Sequence, residues 1–434
     1  MESKSASTKK PTPSKLIAAR TESSDAAPTP EPAPMQQATV AITPAATPQP
    51  APAVETPGVA VASSPPQSTG DKRQKSPTIS SSEPLFYRDK PTFAIDVGST
   101  SIKILQLGNN KGKKMVTAYG LAPFEVGAVK DGEIVQTESI AKTIKTILSG
   151  PELRGTITTR RVTCAVPSRR CFIRNMTIPN IAIKDLTSAV QLELEQYLPI
   201  PAKDLYLDYD IVQQTKDETE LLVVAVPKKT VDAYLEVARL LGLEVVNLEP
   251  TITANARLFA RLEDSHAPTI LIDFGATSSD IMVYDQVLLT ATSVIGGGDT
   301  FTSVLAEKLA TAPKEAHFIK TKFGLNKSLT QQDTAKALEP VLSQLVQEIR
   351  RIQRYYAEHV SGTRKLEQVV IMGGGANMPG LSDYLTDNLR IPTRLFAPWQ
   401  KLDFAHNTSG GIAEMYQYTT AAGLAMLEPK ELFR

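Results

Sequence analysis

The sequence is short of the residues that build metal clusters, disulfides and membrane spans. Its 434 residues include two cysteines, four histidines and one tryptophan. The cysteines and histidines have no metal-ligand spacing, so the sequence predicts neither a zinc site nor a disulfide framework. No apolar run approaches the roughly 20 residues of a membrane helix. The basic residues near the start are not followed by the apolar stretch of a secretory signal, and we expect a cytoplasmic protein without a membrane span.

An excess of charge of one sign is also lacking. The chain has 47 basic and 46 acidic residues, a formal net charge of +1. Because no overall field attracts a polyanion, the sequence predicts no nucleic-acid partner. The P-loop pattern Gly-x-x-x-x-Gly-Lys-Ser/Thr is missing, and no Gly-x-Gly-x-x-Gly follows the first predicted strand. A nucleotide site in this chain must therefore be built from other motifs.

The N-terminal part lacks the residues of a folded core. Up to about residue 85 the chain is rich in proline, alanine, threonine and serine, with hardly an aromatic residue. Such a composition buries too little apolar surface to offset the entropy lost on ordering. We expect residues 1–87 to form a disordered, partly polyproline-like tail.

What the sequence does have is one short motif twice. Phe93-Ala-Ile-Asp-Val-Gly-Ser-Thr-Ser101 returns as Ile270-Leu-Ile-Asp-Phe-Gly-Ala-Thr-Ser278. Each copy is typical of a buried strand that runs into a tight turn, where a carboxylate ends the strand and a glycine lets the backbone approach a ligand. The two carboxylates, Asp96 and Asp273, are 177 positions apart (273 minus 96). The repeat predicts two related halves that face one metal-bound nucleoside triphosphate.

Three further segments supply candidate ligand-binding residues. Glu249 ends a predicted strand, where it is placed either to order a water beside a metal-bound phosphate or as an ordinary surface glutamate before a helix. Gly297 and Gly298 precede a helix and either offer free N–H groups to phosphate or only cross a crowded sheet edge. The run from Gly373 to Ala376 follows a strand, and its bare backbone suits the flat face of a nucleobase or ribose.

Alternating strands and amphipathic helices predict an α/β architecture. Residues from about 171 to 225 predict a small inserted αβ unit, whose helix has Asp185 as a plausible N-cap. Gly242 is expected to end a later helix at its C′ position. A long amphipathic helix is expected from Glu339 to Tyr356, with Pro340 in its first turn.

The order of these motifs resembles the actin-like ATPase superfamily: an Asp-Gly hairpin, a Glu-Pro connection, a second Asp-Gly hairpin and a Gly-Gly-Gly turn. Within it, the chain is similar to the PilM family of type IV pilus assembly proteins, which is related to the division protein FtsA. The most selective part is the inserted unit, with Arg174-Asn-Met-Thr-Ile-Pro179, the segment 189–201 and Leu207-Asp-Tyr209. Further similar sequence lies in the segments 294–302 and 373–381. The resemblance extends from Phe93 to Leu427.

That resemblance implies an actin-like ATPase fold, in which two RNase H-like lobes carry a small FtsA/PilM-type inserted αβ subdomain. The disordered tail would end at residue 87. The first lobe would comprise residues 88–267, with the inserted subdomain at about 171–225. The second lobe would comprise residues 268–434, with a helical subdomain on the nucleotide side at about 302–362.

The resemblance also implies a Mg²⁺-ATP site, with Asp96 and Asp273 at the metal and Glu249 as a water-ordering carboxylate. Glu315 and Lys320 would lie on the adenosine side, and the glycine run would carry the base. The implied cofactor-binding residues are Asp96, Gly98, Ser99, Thr100, Ser101, Lys103, Asp273, Gly275, Ala276, Thr277, Ser278, Gly297, Gly298, Glu315, Lys320, Gly373, Gly374, Gly375 and Ala376. Since positioning is most of what such sites do, we expect ATP binding with weak or absent hydrolysis.

The implied task is that of a cytoplasmic ATP-binding scaffold, peripheral to the inner membrane through its partners. It would hold the cytoplasmic tail of a PilN-like membrane protein in a groove beside the inserted unit, with self-association into rings or filaments as a further expectation. An FtsA-like division protein is the alternative, although the segment 424–434 is too short for a linker and an amphipathic membrane helix. A small-molecule kinase is weaker still, because no separate substrate pocket with a positioned base is evident.

Overall fold

The structure is a computed structural model that describes residues 90–264, 266–326, 332–359, 364–405 and 412–428. The tail predicted over residues 1–87 lies outside the described residues. Within the described ranges, no helix combines the length and the apolar composition that crossing a membrane requires.

Strands and helices alternate along the chain, as the sequence predicts. The strands are β1 (Phe93–Val97), β2 (Ser101–Asn110), β3 (Lys113–Pro123), β4 (Val129–Lys130), β5 (Glu133–Ile134), β6 (Leu153–Gly155), β7 (Arg161–Val166), β8 (Phe172–Pro179), β9 (Leu205–Gln214), β10 (Glu218–Pro227), β11 (Glu244–Pro250), β12 (Thr269–Phe274), β13 (Ser278–Asp285), β14 (Val287–Ile295), β15 (Gln368–Met372), β16 (Thr393–Leu395) and β17 (Asp403–Phe404). The helices are α1 (Thr137–Ser149), α2 (Ile183–Glu195), α3 (Lys228–Leu241), α4 (Thr251–Leu262), α5 (Gly298–Lys308), α6 (Pro313–Lys322), α7 (Gln332–His359), α8 (Leu381–Leu389), α9 (Ile412–Met415) and α10 (Thr419–Ala425).

Two sheets share one topology. The first has the order β11-β7-β1-β2-β3-β17, with β6 paired to β3, and the second has the order β14-β13-β12-β15-β16. In each, an antiparallel meander is extended at its first strand by two parallel strands, β7 and β11 in the first sheet and β15 and β16 in the second. The repeated motif predicts two related halves. Related halves would have the same strand order, and the two sheets do.

The register of the parallel strands sets the position of the candidate residues. Asp96 and Glu249 lie at the same level, on either side of Ala165 in β7. In the second sheet, Asp273 pairs with Met372, so the glycine run begins one residue beyond it. Because parallel strands end at one edge of a sheet, each sheet presents its candidate residues at a single edge.

The inserted unit is a three-stranded sheet, β8-β10-β9, covered on one face by α2. Leu186 and Val190 of α2 pack on Leu221 and Val223 of β10 in a core of their own. The N-cap prediction was wrong by three residues, because α2 begins at Ile183 and its N-cap is Ala182. Asp185 lies instead in the first turn, where a carboxylate still interacts favourably with the helix dipole.

Two other helix predictions had different outcomes. Gly242 ends α3 in the left-handed conformation, with φ of 61°, as its sequence position predicts. Pro340, however, lies inside α7 and not in its first turn, because α7 already begins at Gln332. Proline removes one backbone N–H donor there, and the buried apolar face of the long helix, which includes Leu338 and Leu342, compensates for that loss.

Candidate functional site

The two repeated motifs form the same hairpin turn. Gly98 N–H donates to Ser101 O, and Gly275 N–H donates to Ser278 O, both at 3.0 Å. A Cβ at Gly98 would lie 2.7 Å from Lys103 Nζ, and one at Gly275 would lie 2.8 Å from Ser278 O. Lack of space therefore requires glycine at position 275, where the neighbour is backbone, whereas at position 98 the flexible Lys103 side chain can move and Ser101 O lies at 3.2 Å.

The tips of the two hairpins touch. Ser99 Oγ lies 2.9 Å from Thr277 Oγ1, a hydrogen bond between residues 178 positions apart. Both residues belong to the candidate set, and their neighbours Thr100 and Ala276 complete the two tips. The structure thus brings the two predicted phosphate-binding turns to one place.

The first hairpin carries a carboxylate and an ammonium group. Asp96 and Lys103 are directly opposite each other on β1 and β2, with Lys103 Nζ 3.8 Å from Asp96 Oδ2. Burial raises the pKa of Asp96, and the charge of Lys103 lowers it. Lys103 Nζ also donates to Ser101 O at 3.5 Å, which holds the ammonium group over the turn. The hairpin therefore offers one negative and one positive group to a ligand.

The second hairpin carries two carboxylates. Asp273 and Asp280 are directly opposite each other on β12 and β13. Burial, together with the negative charges of Asp280 and Asp96, raises the pKa of Asp273 to about 7, although a hydrogen bond from Asn255 Nδ2 at 2.7 Å and the charge of Lys103 lower it. Since Asp96 acts on Asp273 electrostatically, the two hairpins form one site with an excess of negative charge.

Asp280 is held by hydroxyl groups. Its carboxylate accepts hydrogen bonds from Ser293 Oγ at 2.5 Å and from Thr251 Oγ1 at 2.8 Å. Ser168 Oγ in turn lies 2.6 Å from Thr251 Oγ1. Burial raises the pKa of Asp280, and these hydroxyl groups lower it. Asp280, which lies opposite Asp273, therefore has a structural role as the acceptor of these hydrogen bonds.

The glycine run wraps around Asp273. Gly373 has φ of +84°, and a Cβ there would lie 2.1 Å from Asp273 Oδ1. A Cβ at Gly375 would lie 3.0 Å from Phe274 Cβ, and one at Gly374 would lie 3.2 Å from Gln417 Cγ. The turn is closed by Ala376 N–H, which donates to Gly373 O at 3.2 Å.

The glycines before α5 pack against the second hairpin. Gly298 N–H donates to Gly275 O at 2.9 Å, and the next N–H, of Asp299, donates to Ala276 O at 2.7 Å. A Cβ at Gly297 would lie 2.4 Å from Gly275 O. These contacts match the crowded-edge alternative, since both N–H groups are used by the protein itself.

The two residues expected on the adenosine side have different surroundings. Lys320 is buried, and its Nζ donates to Gly298 O at 2.5 Å and to Thr302 Oγ1 at 2.8 Å. Burial lowers the pKa of Lys320. Glu315 is exposed on α6 and accepts a hydrogen bond from Thr311 Oγ1 at 2.5 Å. The structure therefore brings Lys320 next to the site and leaves Glu315 on the surface of α6.

Glu249 is engaged by an arginine. Arg257 NH1 and NH2 each lie 2.6 Å from a different oxygen of Glu249, in a bidentate pair. Thr253 Oγ1 donates to the same carboxylate at 2.8 Å. Glu249 is 9% exposed, so this pair is largely withdrawn from water. Most of the lone pairs of this carboxylate therefore already accept hydrogen bonds from the protein.

Three site residues were missed by the sequence reasoning: Asn255, Arg257 and Asp280. Asp280 was predictable, because a turn closed between positions 275 and 278 places it opposite Asp273. Asn255 is a polar residue on the buried face of α4, between Ile252 and Phe259 at helical spacing. No sequence pattern predicted the role of Arg257, because its contact with Glu249 depends on the angle between β11 and α4.

The donor set suits a divalent cation that prefers oxygen ligands. The described residues contain no group of three or more His, Cys, Asp or Glu side chains that could hold a metal by itself. Mg²⁺ commonly binds through one or two carboxylates together with waters and substrate phosphates. Asp96 and Asp273 fit that pattern, because burial raises the pKa of both carboxylates and the negative charge of Asp96 adds to burial in raising the pKa of Asp273.

Comparison with known proteins agrees with this geometry. A profile of the family described as type IV pilus assembly protein PilM matches residues 94–428. The solved structure of a PilM-PilN type IV pilus biogenesis complex superposes with a TM-score of 0.68 at 23% identity, covering 77% of this chain and 98% of the other.

Curated relatives are more distant. The cell division protein FtsA of Streptococcus pneumoniae is 21% identical over 345 residues, covering 70% of this chain and 75% of that protein. FtsA of Neisseria meningitidis is 21% identical over 376 residues, covering 76% of this chain and 88% of that protein. The profile match extends over most of the chain, and the superposition confirms the expected actin-like fold. The chain therefore belongs to the PilM family of type IV pilus assembly proteins.

Proposed function

We propose that this protein is an ATP-binding, actin-like scaffold of type IV pilus assembly that binds the cytoplasmic tail of a PilN-like inner-membrane protein. The observation that carries the nucleotide part is the contact between Ser99 and Thr277, which joins the two phosphate hairpins. Family membership and the superposition on a PilM-PilN complex support the assembly role. The protein would be cytoplasmic and reach the membrane through its partner.

The ligand of the hairpin site is Mg²⁺-ATP in this proposal. Asp96 and Asp273 would hold the cation, and Lys103, close to the Gly98 turn, would face phosphate oxygens. The glycine run from Gly373 to Ala376 has no side chain larger than a methyl group, which suits a flat base or ribose. Lys320 would support the site indirectly, by holding the first turn of α5 through Gly298 O.

Hydrolysis of the bound nucleotide is expected to be weak or absent. Glu249 is the carboxylate that the sequence places best to order the attacking water. It already accepts two hydrogen bonds from Arg257 and one from Thr253. A general base needs a free lone pair within reach of the water. The site therefore supports binding, and a nucleotide-dependent shape, more than turnover.

The partner tail would lie beside the inserted unit, on the face of its sheet opposite α2. Tyr206 of β9 is 44% exposed there, and its hydroxyl donates to Asp232 of α3 at 3.2 Å. Strand alternation places Asp208 and Asp210 on the same face, and both are exposed. One aromatic ring among three carboxylates favours a tail that carries apolar and basic side chains.

Two measurements test the proposal. Calorimetric titration of the full chain should give saturable ATP binding that is tighter with Mg²⁺ than with a chelator; no binding in either buffer would refute the nucleotide role. A fluorescent peptide with the first residues of the neighbouring PilN-like gene product should bind, and deletion of the inserted unit should abolish binding. Tyr206→Ala should weaken it at least about tenfold.

A matched control separates a specific surface from a general loss of exposed aromatic area. Phe318 of α6 is 56% exposed, outside the inserted unit. Phe318→Ala should leave peptide affinity unchanged. Peptide binding by the deletion variant would refute the location of the groove, and failure of the wild-type protein to bind would refute the partner class.

An FtsA-like division role is the second candidate, because the curated relatives are FtsA proteins. The neighbouring genes discriminate between the two. A run of pilus inner-membrane components supports the pilus role, whereas a division cluster supports the alternative. Self-association into rings or filaments is compatible with either and is measured by sedimentation with and without Mg²⁺-ATP.

A further inference from the structure

One buried amide in the site is only half used. Asn255 of α4 is fully buried, with 0% of its surface exposed. Its Nδ2 donates to Asp273 Oδ2 at 2.7 Å. Its Oδ1 is buried and has no hydrogen-bond partner among the described residues. A buried acceptor without a donor is costly, and a bound water or ion is one physical explanation for such an atom in a native protein.

The orientation of this amide is set by its neighbour. A carboxylate that binds a cation is ionised and only accepts hydrogen bonds, so the NH₂ group of Asn255 must face Asp273. The Oδ1 atom then lies within about 5 Å of Asp273 Oδ2, the 2.7 Å bond plus the separation of O and N in the amide. A separation of that size leaves Oδ1 close enough to accept a hydrogen bond from a water molecule that is itself bound next to Asp273.

The position of α4 makes Asn255 suitable for this role. The helix directly follows β11 of the first sheet, while its Asn255 bonds to β12 of the second. On the same helix, Arg257 already holds Glu249. One rigid helix therefore fixes the carboxylates of both sheets relative to each other.

We propose that Asn255 is a positioning residue of the cation site, whose Nδ2 orients Asp273 and whose Oδ1 accepts a hydrogen bond from a water bound to the divalent cation. This inference rests on the proposed binding of Mg²⁺-ATP. In this role the buried amide of Asn255 does more than pack: it increases the amount by which the cation strengthens nucleotide binding. Such outer contacts typically contribute about 10–100-fold to metal affinity.

The test is the ratio of ATP affinities measured in Mg²⁺ and in chelator for the full chain. Asn255→Ala should lower this ratio at least about tenfold, because it removes both contacts to the cation shell. Asn255→Asp keeps the size of the side chain and adds a negative charge beside Asp273. It should weaken binding in chelator and raise the ratio above that of the wild type.

Thr163→Val is the matched control, since Thr163 is fully buried in β7 and its Oγ1 donates to Phe93 O at 3.4 Å. It should lower the melting temperature without changing the ratio. If Asn255 had only a structural role, its substitution would also lower the melting temperature without changing the ratio. An unchanged ratio in the folded Asn255 variants therefore overturns the inference. If Asn255→Ala does not fold, Asn255→Leu decides, because it keeps the approximate size of the side chain, removes both polar contacts and adds no charge. Absence of Mg²⁺-dependent binding in the wild type would instead refute the proposed function.

Discussion

Lys103 and Asp280 occupy equivalent positions in the two hairpins, each directly across the sheet from the aspartate of its own hairpin. Their numbers differ by 177, the same offset that separates Asp96 from Asp273. The repeat therefore keeps the backbone and the carboxylate while it exchanges a cation for an anion. The first hairpin is nearly neutral and the second is doubly acidic, which makes Asp273 the carboxylate with the stronger need for a cation.

The first prediction concerns the pH dependence of stability without metal. The pKa of Asp273 is about 7 in the folded chain and about 3.8 when unfolded, so the folded state binds the proton more tightly. Stability should fall as pH rises from about 4 to 7 and then level off. Between pH 5 and 7.5 in chelator, we expect the wild type to lose about 2–3 kcal/mol more than Asp273→Asn. Urea denaturation measures this difference.

Mg²⁺ provides the second arm of that experiment. Binding of the cation favours the ionised carboxylate, so saturating Mg²⁺ should flatten the pH dependence of the wild type. Asp383→Asn, an exposed position in the first turn of α8, should behave like the wild type in both buffers. Equal slopes for wild type and Asp273→Asn in chelator would contradict the prediction.

The second prediction is that Asp96→Ala abolishes Mg²⁺-ATP binding while the fold stays intact. The substitution removes a buried carboxylate whose pKa is raised by burial, but it also leaves the largely buried Lys103 without its partner at 3.8 Å, so we expect a modest loss of stability without unfolding. We expect at least a roughly 100-fold loss of affinity in Mg²⁺, equivalent to about 3 kcal/mol. Calorimetry gives the affinity and circular dichroism checks the fold. ATP affinity equal to that of the wild type would refute the role of Asp96.

The third prediction uses two glycines with nearly the same backbone angle. Gly373 has φ of +84° and Gly112 has φ of +86°, but a Cβ meets Asp273 Oδ1 at 2.1 Å in the first case and nothing within 4 Å in the second. Gly112→Ala should therefore cost only the strain of the left-handed backbone, about 1–2 kcal/mol. Gly373→Ala should cost more and should also displace Asp273.

Thermal denaturation and ATP titration of the two glycine variants separate these effects. Backbone strain lowers the melting temperature of both variants, and more so in Gly373→Ala, because Gly373 has ψ of 170° in a region that essentially only glycine adopts. Displacement of Asp273 reduces Mg²⁺-ATP affinity only in Gly373→Ala. Equal stability and equal affinity of the two variants would show that the glycine run does not constrain the carboxylate.

The fourth prediction concerns the Glu249–Arg257 pair. Glu249→Gln leaves a largely buried arginine without its bidentate carboxylate, which should cost about 2–4 kcal/mol of unfolding free energy. Glu236→Gln is the control, because Glu236 and Arg239 form a similar pair at 2.6 Å on the exposed side of α3. That change should cost much less, because solvent screens the exposed pair. Comparable losses for the two variants would contradict the burial argument.

Sequence alone was sufficient for the features that depend on local chemistry. The two strand-turn motifs predict hairpins because a buried apolar strand followed by Asp-x-Gly has few other conformations, and both hairpins form. Gly242 predicts a helix end for a similarly local reason. The helix starts predicted at Asp185 and near Pro340 were wrong, because packing of an apolar face extends a helix beyond its local signals.

The function of Gly297 and Gly298 needed the structure. Glycines before a helix suit either phosphate binding or close backbone packing, and the sequence does not discriminate between them. The bond from Gly298 N–H to Gly275 O shows the packing role, because that donor is already used. In the same way, the arginine bound to Glu249 became visible only when β11 and α4 were placed.

The chain by itself determined its hairpins, its acidic turn residues and its resemblance to a family, because each depends on neighbours within a few positions. Only the tertiary structure decided three hydrogen bonds: Ser99 with Thr277, Asn255 with Asp273, and Arg257 with Glu249. Those contacts join residues that lie on different elements or sheets. Their distances follow from how sheets and helices pack as whole bodies, a property that no short window of sequence contains.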